Sequence, residues 1–123
     1  MKLDLSPVVQ GRENLAAAEA QLLAMRARLD DARQLVDLRQ EEQRQAEENR
    51  RQVVISGEDD EPAIRALVNS RILSEDARER AGMLSDAVHQ AEDDVLAAEA
   101  DLLAALDVAR TEQYERTKAE LVA

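Results

Sequence analysis

The sequence predicts an all-α fold, a long antiparallel helical hairpin in the form of a two-helix coiled coil. Three observations carry this: a helix-forming composition, apolar residues recurring at alternating spacings of three and four, and a single strong turn signal. Of 123 residues, 35% are charged, 1% are aromatic, and only three are Gly and two Pro. Ala, Leu, Glu, Arg and Gln favour helix, and so few turn formers exclude a loop-rich or all-β chain. One tyrosine and no Phe or Trp leave little material for a thick globular core.

The chain reads as one domain over 1–123, with a helix at 7–55, a turn at 56–61 and a helix at 62–121. Ser6 is placed to cap the first helix, and Pro7 suits a first turn whose amides have no partner. From there Val8, Gly11, Leu15, Ala18, Leu22, Met25, Leu29, Ala32 and Val36 form a heptad seam. The same frame continues as Arg39, Gln43, Ala46, Arg50 and Val53, crossing a balanced polar run with four Glu and four Arg. Pairs such as Glu47 with Arg51 are spaced to keep that run helical.

Ser56-Gly57 ends the first helix, and the acidic residues before Pro62 suit the positive end of the next. A second seam runs through Ala81, Leu84, Val88, Ala91, Val95, Ala98, Leu102, Ala105 and Ala109. Leu67, Ser70, Ser74 and Ala77 continue it toward the turn. Ser74-Glu75-Asp76 also has the form of a helix start, which allows a break near residue 74. LAAAEAQLLA at 15–24 and VLAAEADLLA at 95–104 are alike, as composition alone can produce.

A short turn makes the helices antiparallel, and a fold axis at Asp60 pairs positions whose numbers add to about 120. Leu22 then faces Ala98, Ala32 faces Val88 and Val36 faces Leu84, a large residue against a small one in nearly every layer. A shift to about 113 sets Ala32 against Ala81 and Leu29 against Leu84, at a cost of about 1 kcal/mol per poorly matched layer.

Two groups of apolar residues lie outside the seams. Leu23, Leu96, Leu103 and Leu106 make a stripe toward the open end, and the expectation is self-association through it, as a homodimer that completes a four-helix bundle. Val54, Ile55, Ile64 and Val68 surround the turn and are expected to bind a protein partner.

Chemistry-bearing groups are sparse. With no Cys there is no thiolate site, and His89, the one imidazole, occupies an outward helical position. Glu58-Asp59-Asp60-Glu61 lacks the ligand spacing of a calcium loop, and no Gly-rich phosphate cradle occurs. No catalytic residue, metal, cofactor or small-molecule substrate is expected, and the protein is not expected to be an enzyme. The net charge of −11 opposes direct binding to nucleic acid or an anionic membrane. It leaves an alternative in which an acidic patch at Glu92, Asp93 and Asp94 mimics nucleic acid and blocks a basic groove on another protein, as an anti-defence inhibitor would.

The leading expectation is a structural, assembly or adaptor protein acting through coiled-coil contacts. Long acidic hairpins of this size occur among secretion-apparatus stalks and bacteriophage assembly proteins, but no motif here is specific to either and no family is recognised. The expected location is the cytoplasm or an assembled particle, since neither a signal-peptide pattern nor a membrane span is seen.

Overall fold

The computed structural model describes residues 3–122. Two helices, α1 (Ser6–Ser56) and α2 (Glu61–Val122), pack against each other as an all-α hairpin. The chain forms two compact units, one of residues up to 24 with those from 89 onward, the other of residues 25–88.

Both helices start with the same device. Asp4 Oδ1 accepts the Ser6 N–H at 3.0 Å, and the Leu5 carbonyl accepts the Val9 N–H at 3.0 Å. At α2, Asp59 Oδ1 accepts the Glu61 N–H at 3.2 Å, and the Asp60 carbonyl accepts the Ile64 N–H at 2.9 Å. In each case an Asp stands three residues before a Pro, in the turn where the missing Pro N–H leaves no bond unmade. The cap of α1 is thus Asp4 rather than Ser6. Its carboxyl is held below the usual range, chiefly by the Ser6 backbone N–H.

α1 ends where Gly57 turns left-handed at φ 76°, a conformation open to glycine at no steric cost. The Gly57 N–H reaches the Val54 carbonyl at 3.3 Å, and the Ser56 hydroxyl donates to the Val53 carbonyl at 2.9 Å. α2 then runs unbroken through residue 74. Ser74 does not cap a new helix, because it lies in the seam and is buried to 1% exposure.

The polar run of α1 is held by pairs three residues apart: Arg39 with Glu42, Arg44 with Glu41, and Arg51 with Glu48. The Glu47 to Arg51 pairing does not form. Glu47 instead reaches across to Arg71, at 3.9 Å.

The register differs from the sequence expectation by one heptad. In the unit holding both open ends, Gly11 lies against Leu102, so close that an added Cβ would sit 3.3 Å from the Leu102 Cα. Opposed positions therefore add to 113 rather than about 120. Val8 is buried and lines a recess with Ala104, Ala105 and Ala109. The expected register would have faced Val8 with Glu112 and left Gly11 opposite Ala109, one layer burying a carboxylate beside apolar surface and the next a void. Leu102 over Gly11 and Ala105 beside Val8 avoid both.

In the unit of residues 25–88, Glu47 pairs with Arg71, and the Gln40 amide oxygen, correctly oriented, accepts from Arg78 at 2.9 Å. These are successive rungs of the flanking positions that accompany a 113 core. In the core of this unit Arg39, Gln43 and Arg50 fall opposite Ser74, Ser70 and Ala63, all three buried. Long polar side chains lie over small residues, with polar ends directed away from the core. A sum of 113 places the axis beside Gly57, where α1 ends, rather than at Asp60.

Candidate functional site

The observed register has one small-on-small layer in the unit of residues 25–88, Ala32 against Ala81, with Ala77 one turn away. Ala32 is 7% and Ala77 4% exposed, and neither carries a side chain long enough to fill the space beside them. The result is a groove of about 670 Å³, lined by Arg28, Asp31, Leu35, Arg80, Met83 and Leu84 over the two alanines. Because the missing volume opens to solvent, the layer costs less than an enclosed void would.

The chemistry of this groove follows from its walls. Leu35 and Leu84 are half-buried, and Met83 stands 68% exposed on a flexible, polarizable side chain. Arg28 and Arg80 occupy facing flank positions and make no ion pair within 4.0 Å among the described residues. Asp31 is the one carboxylate in the lining. An apolar floor between two guanidinium groups suits a large aliphatic side chain that carries carboxylates a helical turn to either side.

Near the turn, Val54 and Ile55 line a smaller recess of about 360 Å³ with Leu67, Glu47, Arg50, Arg51 and Arg71. Val54 is 55% and Ile55 73% exposed, Val68 is exposed, and Ile64 is half-buried. Val54 and Ile55 are therefore brought together, while Ile64 and Val68 lie outside the recess lining.

In the other unit, Leu103 and Leu106 share a recess with Asp107 and Arg110. Leu96, 63% exposed, lies two turns before Leu103 on the same face of α2, and Leu23 is 71% exposed on α1 outside that recess. Of the acidic patch, Asp93 and Asp94 are exposed and Glu92 is half-buried. The Gln90 side-chain amide donates to Asp94 at 3.0 Å. His89 is 73% exposed at its side chain and stands 4.0 Å from Glu92, a solvated imidazole on an open helix.

Among the described residues no group of three or more His, Cys, Asp or Glu is arranged to hold a metal ion, and no helix is long and apolar enough to cross a membrane. The groove at Arg28 and Arg80 is not apparent from the sequence alone, because it exists only in the 113 register. Its signal was the run of small seam residues Ala77 and Ala81 on α2 and Ala32 on α1, read correctly only once Leu102 is set over Gly11. No family model matches the chain, and neither a curated protein nor a solved structure is detectably similar to it.

Proposed function

We propose that this protein is a non-enzymatic assembly or adaptor protein that works through helix-to-helix contacts with other proteins, in an assembly of the phage or secretion type. The observation that carries the reading is the exposure of Leu96, Leu103, Ile55 and Met83, each more than 60% accessible, beside recesses shaped by helical spacing. Scattered single leucines are ordinary on a protein surface. Apolar side chains repeating two turns apart next to a groove fit docking between helices.

The alternative, an acidic inhibitor of a nucleic-acid-binding protein, is favoured by one feature of α2. From Ala81 through Ala109 it has seven carboxylates and no Lys or Arg. Such a stretch presents a line of negative charge to a basic groove.

Capture from the native host with defined variants separates the two. Leu103→Glu or Ile64→Asp should remove the main bound protein if apolar docking is the mode, with binding unchanged when Glu92, Asp93 and Asp94 are reversed to Lys. The opposite pattern, in which charge reversal releases the partner and Leu103→Glu does not, identifies mimicry and rejects the assembly reading.

A further inference from the structure

The two apolar surfaces carry complementary charge. On α2, Leu96 and Leu103 are flanked by Asp93, Glu99 and Asp107, with Arg110 the one basic group in the recess beside Leu103. The groove over Ala32 and Ala77 is flanked by Arg28 and Arg80. The distances agree as well. Leu96 and Leu103 are seven residues apart, about 10 Å along a helix at 1.5 Å per residue. The groove also runs seven residues along each helix, from Arg28 to Leu35 and from Ala77 to Leu84.

We infer that the occupant of the groove is a second copy of this chain, whose Leu96–Leu103 face docks between Arg28 and Arg80. One leucine enters the notch over Ala32 and Ala77, and the other lies on Met83 and Leu35. Asp93, Glu99 and Asp107 of the incoming helix meet the two guanidinium groups, with Asp31 as the one opposing charge. Electrostatics decides against the symmetric alternative, in which the leucine stripe pairs with itself. That contact sets Asp93, Glu99 and Asp107 of one copy against the same carboxylates of the other with only Arg110 to offset them, whereas the groove supplies two guanidinium groups against one carboxylate. The contact is between different surfaces, so each copy offers one stripe and one groove.

This rests on the reading that the protein works by helix docking, and the experiment separates the two. Sedimentation equilibrium of the full chain, as concentration and salt are varied, should show mass rising above the 13.7 kDa monomer. Screening relieves the repulsion between two chains of net charge −11 in either arrangement, so association should strengthen less steeply with salt here than in stripe-to-stripe pairing. Leu103→Glu, which disables the stripe, and Arg28→Glu/Arg80→Glu, which disables the groove, should each weaken association by about tenfold or more. Each should keep the wild-type circular dichroism spectrum. Mixed together they should recover a complex of two chains, because the first retains its groove and the second its stripe.

Three results overturn the inference: a groove variant that associates like wild type, a mixture no heavier than its separate components, or a wild-type chain that stays monomeric at high micromolar concentration at every salt concentration. Even then the assembly reading stands or falls on host capture, which depends on no second copy.

Discussion

Gly11 is the space into which Leu102 fits. A methyl group at Gly11 would lie 3.1 Å from the Leu102 Cδ1 and 3.3 Å from its Cα, and the Cα cannot turn aside as a side-chain end can. Gly11→Ala gains about 1 kcal/mol of helix propensity but meets an overpacking cost of roughly 1–3 kcal/mol. Thermal unfolding followed by circular dichroism should show a net loss of about 1 kcal/mol. Gly82→Ala is the control. Nothing lies within 4 Å of the added methyl there, so the same exchange should stabilise by up to about 1 kcal/mol.

The hairpin, its turn and both seams were legible in the sequence, because heptad spacing, Gly57 and the two prolines are local signals. The pairing register was not. Large-to-small matching between Leu15 and Ala105 looks as favourable as between Leu15 and Ala98, since alanine recurs every seven residues along α2. What separated the alternatives was the glycine: only one register sets a large residue over Gly11. The exposed leucines were legible as positions outside the seam, whereas the groove, a product of the pairing, was not.

Ser74 is 1% exposed, and its hydroxyl has no hydrogen-bond partner. An unsatisfied buried hydroxyl costs about 1–3 kcal/mol relative to a site without one, and alanine keeps nearly the same volume. Ser74→Ala should therefore raise the midpoint of urea unfolding, with a gain of about 1 kcal/mol and an unchanged m-value. A lower midpoint would mean that the hydroxyl is satisfied in solution.

Asp4 links the start of α1 to pH. Its carboxyl is held below the usual range by the Ser6 N–H, so the folded state favours the charged form. The contribution is fully present above the ordinary carboxylate range and is lost as pH falls through the depressed folded-state value. The Ser6 amide resonance should titrate with a midpoint below that of a free aspartate, and Asp4→Asn should abolish the titration. A midpoint at or above the free value would contradict the capping role.

The groove and its proposed occupant both depend on the register within residues 25–88, where Val36 falls opposite Ala77 rather than Leu84. Double-cysteine variants in the otherwise cysteine-free chain read this directly. Under mild oxidation, Val36→Cys with Ala77→Cys should close an intramolecular disulfide, and Val36→Cys with Leu84→Cys should stay reduced. The reverse preference would return Ala32 to Val88, fill the notch, and remove the groove on which the docking of a second copy depends.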